Sequence, residues 1–368
     1  VKALEDDLLV HPEHGSNVAL RRELRVGDAA RVFAEAAHVV GARIVNQRVA
    51  PLPMEGRGVM ASWDGVRGAL TVWASTQVPH NLRDALAELL DLPSTGVRVI
   101  TPDVGGGFGL KLNTFPEDLL VAGLARHFGR PVKWTETRSE NLVATAHGRD
   151  QVGELELAVS ASGEVLGLRG RILADLGAYL LDTTAESPTL TLGMLQGNYR
   201  FGTFDIELVE LFTHKTPTSA YRGAGRPEAT FYLERLMNLV AHDLGLDPAE
   251  VRRRNFIPPE AFPYKTAIRH TYDSGDYLGA LELLLEQADY AGLRRRQAEA
   301  RAAGRYLGIG LSSYVEVCAS GWELAKVRLN ADGSAVVFTG TSPHGQGAGT
   351  GFAQIVAEQL GLEPAAVQ

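Results

Sequence analysis

The sequence predicts an α+β fold in two domains, on three observations. A strand, a glycine-rich loop and a helix follow one another twice, near 97–128 and near 335–360. Residues 151–181 read as long strands about a turn at Ser162-Gly163. Residues 226–245 carry the clearest helical periodicity of the chain. Prolines, tyrosines and glycines gather without periodicity over 256–275, which places the domains at 1–260 and 270–368.

The segment His11-Pro12-Glu13-His14-Gly15 is rich in breakers, and a solvated loop is the better reading of its histidines than a metal site. A helix is expected over 26–37, β-structure over 68–75 and a short amphipathic helix over 81–90. Val97–Ile100 reads as a strand, 103–109 as a glycine loop and Pro116–Phe128 as a helix burying Leu119, Leu120, Leu124 and Phe128. Gly129-Arg130-Pro131 stops that helix before a strand at 132–134. In the helix over 226–245, Pro227 suits the first turn and Gly245 the end, with Phe231, Leu233, Leu236, Met237 and Val240 as the buried stripe. Pro248–Asn255 is a short basic helix, and 276–301 a second long one whose Arg294-Arg295-Arg296 run is a solvated face. A hairpin turning at Ala331-Asp332-Gly333-Ser334, the loop His344-Gly345-Gln346-Gly347 and a helix over 352–360 complete the chain.

Composition excludes several functions. Acids outnumber bases 44 to 36 over 368 residues, a net charge of −8, so nucleic acid and anionic membranes have no electrostatic hold on the protein. No apolar run reaches the roughly 18 residues of a membrane-spanning helix. One cysteine, Cys318, cannot form an internal disulfide, an iron–sulfur site or a cysteine-type zinc site. Forty glycines, clustered and without period, exceed the usual ~7% and suggest loops pressed against a ligand. The chain begins at Val1, which suggests a start inside a longer protein.

A glycine loop entering a helix can present N–H groups to an anion, or simply make a tight turn. The dinucleotide fingerprint fails because Leu110 stands where its third glycine belongs, and the phosphate-loop motif fails because Leu112 follows Lys111. Arg222 and Arg226 flank glycines just before a long helix, which suits phosphate or carboxylate recognition; the alternative is pairing with Glu228 and Glu234. No Gly-x-Ser-x-Gly elbow, His-Glu-x-x-His or facial triad occurs.

Four stretches in order resemble the molybdopterin-binding large subunit of the xanthine dehydrogenase, aldehyde oxidase and carbon monoxide dehydrogenase family. They are Trp73-Ala74-Ser75-Thr76-Gln77-Val78-Pro79-His80, Gly105-Gly106-Gly107-Phe108-Gly109-Leu110-Lys111, Ala220-Tyr221-Arg222-Gly223-Ala224-Gly225-Arg226, and Gly345-Gln346-Gly347 with Thr350. The resemblance covers nearly the whole chain and implies the α+β fold of that family's molybdenum cofactor-binding domains, the second domain being truncated. It implies a metal held by the dithiolene of a molybdopterin cytosine dinucleotide, not by side chains. Gln77 then donates to an oxygen on the metal, and Gly106, Gly107, Phe108 and Gly109 border the cofactor. Arg222 is the active-loop arginine, and Gly345, Gln346 and Gly347 contact the pterin. The alternatives are a solvated loop amide for Gln77 and a core aromatic for Phe108; a direct role for His344 is the weaker reading.

The implied reaction is oxidative hydroxylation of an aldehyde or N-heterocyclic carbon, with water as oxygen source. Electrons pass to 2Fe-2S and FAD centres on an iron–sulfur subunit and an FAD-binding subunit, in a cytoplasmic dimer of heterotrimers. Gly223 stands where carbon monoxide-oxidising members carry a cysteine, so no thiolate is offered to copper. Leu112 and Ala224 replace the acid and aromatic of purine-oxidising members. Family subunits are about twice as long and place the general-base glutamate in a segment this sequence lacks; neither Glu358 nor Glu363 has that context. The chain is therefore expected to be a fragment, inactive alone. The runner-up functions are a carbon monoxide dehydrogenase-like chain with another substrate, a non-catalytic cofactor-binding or assembly module and, more distantly, a dinucleotide-dependent dehydrogenase.

Overall fold

The computed structural model describes residues 4, 8–317 and 322–368; Cys318 lies outside them. The first half interleaves two sheets. Strands β1 (Val18–Val26), β2 (His38–Asn46), β7 (Gln151–Val159), β8 (Val165–Gly177) and β9 (Phe204–Phe212) form a five-stranded sheet in the order β1-β9-β8-β7-β2. Strands β3 (Gly58–Asp64), β4 (Ala69–Ala74), β5 (Val97–Ile100) and β6 (Val132–Thr135) form a four-stranded sheet in the order β5-β4-β3-β6. Neighbours are antiparallel except β8 with β9 and β4 with β5.

The expected helix over 26–37 is in fact the end of β1, a turn, and the short helix α1 (Ala29–Glu35), whose N-cap Asp28 accepts from the Arg31 amide. Strands β1 and β2 escaped the pattern because both are sheet edges, and β1 interleaves arginine and glutamate with its apolar residues. Helices α2 (Pro79–Leu89) and α3 (Pro116–Phe128) cover one face of the small sheet. In α3 the buried residues are Val121, Ala122 and Ala125, while Leu120 and Phe128 stand about 60% exposed. Small side chains let the helix axis approach the sheet closely, which turns two of the expected core residues outward. Helix α4 (Arg138–Ala144) follows β6 and leads into the large sheet.

Helix α5 (Glu186–Gly193) lies in the crossover between β8 and β9. The long α6 (Arg226–Leu244) packs on the large sheet through Leu233, Leu236, Met237 and Val240, against Leu155, Leu157 and Leu168. Each such burial contributes about 1.5–3 kcal/mol, enough together to fix the helix in one orientation. Phe231, expected on that stripe, is 45% exposed. Helix α7 (Pro248–Asn255) follows, then the two-residue strands β10 (Tyr264–Lys265) and β11 (Thr271–Tyr272).

The expected long helix over 276–301 is two helices, α8 (Tyr277–Gln287) and α9 (Tyr290–Ala302). Asp289 separates them: its φ of +45° breaks the helix, and its carboxylate caps α9 at the Gly292 amide. The hairpin β12 (Ala325–Leu329) and β13 (Ala335–Thr339) then packs against α10 (Ala348–Leu360), with Ala335, Ala357 and Val367 buried between them. Among the described residues no helix is long and apolar enough to cross a membrane.

The loops of interest follow the C-terminal ends of β4, β5, β9 and β13. Because β4 and β5 run parallel, their following loops emerge side by side.

Candidate active site

Gln77 follows β4 and the glycine loop follows β5, and the two interlock. The Gln77 amide donates to the Lys111 carbonyl at 2.9 Å, and the Gly109 amide donates to Gln77 Oε1 at 3.0 Å. A Cβ on Gly107 would stand 2.4 Å from Gln77 Cδ, so only glycine lets the side chain lie across the loop. Phe108 adopts φ +55° and the residue is 41% exposed, so it is not a core aromatic.

Two charged residues absent from the sequence-based candidates hold this loop. Lys111, fully buried, donates to the Glu55 carbonyl at 3.0 Å and to Glu55 Oε2 at 2.9 Å. The same carboxylate oxygen accepts from the Gly105 amide at 2.7 Å and from Ser75 Oγ at 2.8 Å. Burial raises the Glu55 carboxyl, but the donors from Lys111, Ser75 and Gly105 outweigh it and hold it below its ordinary value. Burial lowers Lys111. The signal available in sequence was a lysine set between two leucines, a place where a cation needs a partner.

The second loop lies against the first. The Arg222 amide donates to the Phe108 carbonyl at 3.0 Å, and a Cβ on Gly109, at φ +92°, would meet the Ala220 carbonyl at 2.4 Å. Glu228 and Glu234 are not partners of the loop arginines: Glu228 pairs with Arg149 at 3.4 Å, Glu234 with Arg252 at 2.7 Å, and Arg226 with Glu316 at 3.0 Å. The Arg222 guanidinium is exposed and ion-pairs with none of the described residues.

The third loop reaches the first at Gly345, whose Cβ position is 3.6 Å from the Gly106 nitrogen. Gln346 braces its own loop, accepting from the His344 amide at 2.6 Å and donating to the Ser342 carbonyl at 3.1 Å. His344 Nδ1 is buried without a partner among the described residues, and burial lowers its pKa. A cavity of about 530 Å³ opens between Asp103, Val104, Thr341, Gly345 and Gly347. Gly347, Gly349 and Gly351 would each point a Cβ into open space, leaving backbone accessible around the N-terminus of α10.

Residues 10–256 match the family described as molybdopterin cofactor-binding domain, and residues 283–368 match a second family of the same description. The chain belongs to the molybdopterin-binding large-subunit family. It is 37% identical to the 6-hydroxypseudooxynicotine dehydrogenase complex subunit gamma of Paenarthrobacter nicotinovorans, over 99% of this chain and 46% of that protein. It is 36% identical to the carbon monoxide dehydrogenase large chain of Hydrogenophaga pseudoflava, over 92% of this chain and 44% of that one. The solved quinoline 2-oxidoreductase of Pseudomonas putida 86 superposes with a TM-score of 0.95 at 36% identity, covering 99% of this chain and 48% of that one. The chain thus spans about half the length of the relatives it matches.

The site fits this family's cofactor. The open backbone at Gly347, Gly349 and Gly351, the orphan His344 Nδ1 and the exposed Arg222 suit an extended, phosphate-bearing partner.

Proposed function

We propose that this chain is the cofactor-binding part of a molybdenum hydroxylase large subunit, acting on an aldehyde or N-heterocyclic carbon. The observation that carries the reading is the lock between three loops: Gly109 holds Gln77, Phe108 holds Arg222, and Gly345 lies against Gly106. Gln77 Oε1 is occupied by Gly109, so the amide NH₂ is the end turned outward. Arg222 is fixed by its backbone to Phe108, so its guanidinium is presented from the second loop.

In this reading a molybdopterin cytosine dinucleotide lies along Gly106, Gly107, Phe108, Gly109, Gly345, Gln346 and Gly347, across two cofactor-binding domains, 1–260 and 270–368. The group would supply two-electron redox chemistry for hydroxylation with water as the oxygen source. Gln77, through its side-chain amide, would help hold the group, and Arg222 would stabilise negative charge developing on the substrate. The peptide N–H groups of Gly345, Gln346 and Gly347 would receive the pyrophosphate. The general-base glutamate, the 2Fe-2S clusters and FAD belong to other segments or subunits, within a cytoplasmic dimer of heterotrimers. Similarity to the quinoline 2-oxidoreductase supports the heterocyclic half of the substrate class.

The test is turnover of a panel of aldehydes and N-heterocycles by the purified complex with an artificial electron acceptor. Oxygen-18 from water should appear in the product. Bound cofactor with no turnover across the panel would assign a non-catalytic carrier role instead.

A further inference from the structure

The second loop is gripped from behind by an arginine that no part of the proposed function uses. Arg149 Nη1 donates to the Tyr221 carbonyl at 2.9 Å and Nη2 to the Arg222 carbonyl at 2.7 Å. One planar fork thus takes two consecutive carbonyls, a geometry that a lysine cannot reproduce. Its guanidinium carbon also lies 4.9 Å from the centre of the Tyr221 ring. With the Arg222 amide bound to the Phe108 carbonyl, the peptide groups on both sides of Arg222 are fixed while its side chain remains exposed.

The grip is built at a cost. Arg149 and Asp150 are consecutive non-glycine residues at φ +66° and +61°, a conformation that persists only where the surroundings over-determine it. Here they do. The Gly148 amide pairs with the Val49 carbonyl, the His147 amide with Pro217 and the Ser219 amide with His147. Asp150 is held by Arg48 at 2.6 Å and Lys215 at 3.2 Å. A Cβ on Gly148 would stand 2.5 Å from Tyr221 Cβ, so the Gly148 backbone lies directly against the Tyr221 side chain.

Behind Arg149 lies Glu228, 1% exposed, in the first turn of α6. One carboxylate oxygen is 3.4 Å from Arg149 Nη1, and the other is buried with no partner among the described residues. A buried, half-satisfied ion pair is a poor means of adding stability, because apolar residues of the same volume serve at least as well. It does fix the orientation of the arginine fork.

We propose that Arg149, seated on Glu228, is a positioning residue for Arg222: the pair sets the Tyr221 and Arg222 peptides so that the Arg222 side chain is presented to the bound cofactor or substrate. The inference rests on Arg222 facing that ligand, but the grip itself can be measured without any ligand.

The experiment uses the full-length large subunit, purified in its complex, with and without cofactor. Variants Arg149→Lys, Arg149→Ala and Glu228→Gln are compared with the parent by peptide-resolved amide hydrogen exchange. In cofactor-free protein, exchange over 219–226 should rise about tenfold or more in Arg149→Lys, with helix α6 beyond its first turn unchanged. Glu228→Gln keeps the shape of the side chain and should loosen the same peptide to a smaller degree. Added guanidinium ion should restore protection of 219–226 in Arg149→Ala, a rescue that a general loss of folding would not show. In loaded complex the variants should lower kcat more than they raise KM. Unchanged exchange over 219–226 in Arg149→Lys and Glu228→Gln would overturn the proposal, as would loosening spread evenly over the sheet. A loosened loop with unaltered turnover would leave the grip standing but remove the assigned role of Arg222.

Discussion

Gln77 Oε1 accepts the Gly109 amide at 3.0 Å, and that single bond fixes which end of the side-chain amide engages the glycine loop. A backbone N–H can only donate, so the carbonyl end is held inward and the NH₂ points away from the loop. Gln77→Ala should therefore slow turnover of the loaded complex about 10²–10³-fold, the range for losing one preorganised donor, with molybdenum content unchanged. Gly107→Ala should behave similarly, since its Cβ would lie 2.4 Å from Gln77 Cδ and displace the amide. Steady-state rates at matched molybdenum occupancy decide this; parental activity in Gln77→Ala would reduce the residue to a loop brace.

The Glu55–Lys111 pair should respond asymmetrically to substitution. Glu55→Ala leaves a fully buried ammonium with only a carbonyl acceptor, and removing one partner of a buried pair costs about 3–5 kcal/mol. Lys111→Met leaves a carboxylate that is 43% exposed and still bonded to Ser75 and Gly105, so its cost should be smaller. Denaturant unfolding of the two variants gives the order directly, and the reverse order would contradict the burial on which the argument stands.

The loops that meet here were legible because each lies in a short, contiguous motif. The stretches containing Gln77, Phe108 and Arg222 each read as loops in sequence, and the structure brings them together through Gly107, Gly109 and Ala220. What held them was not legible. Arg149 reaches Arg222 across 73 residues of sequence, and Lys111 reaches Glu55 across 56. Neither spacing leaves any periodic trace. The fold failed to read at edges and breaks: β1 hides among charges, and Asp289 divides an apolar pattern that continues through it. Burial on α3 was misassigned because leucines were favoured over the alanines that permit close packing.

Stability should also carry a pH signature away from the site. Burial raises Glu210 to about 7, against the opposing effects of Arg22 and a hydrogen bond from Thr189. A carboxyl raised in the folded state contributes stability below its unfolded value near 4.5, and that contribution is lost as pH rises through 7. Glu210→Gln should therefore raise Tm at pH 8 relative to the parent and flatten the dependence of Tm on pH between about 4.5 and 7. Identical pH profiles for the two proteins would mean that Glu210 ionises as it does in the unfolded chain.

Carbon monoxide should be a poor substrate. Gly223 offers no thiolate to copper, and its backbone, at φ +98°, would press a Cβ to 2.6 Å from Pro227 Cδ. Gly223→Cys alone should consequently disturb the loop without creating a copper site. Copper analysis and carbon monoxide oxidation assays on the loaded complex check both statements. Stoichiometric copper with sustained carbon monoxide oxidation by the parent would refute them.

The most direct measurement is molybdenum and pterin analysis of the complex purified from cells supplied with molybdate. One molybdenum and one pterin dinucleotide per chain are expected, with both lost together when the backbone cradle is blocked by Gly345→Val and Gly347→Val. A complex that folds, assembles and contains neither molybdenum nor pterin would contradict that expectation.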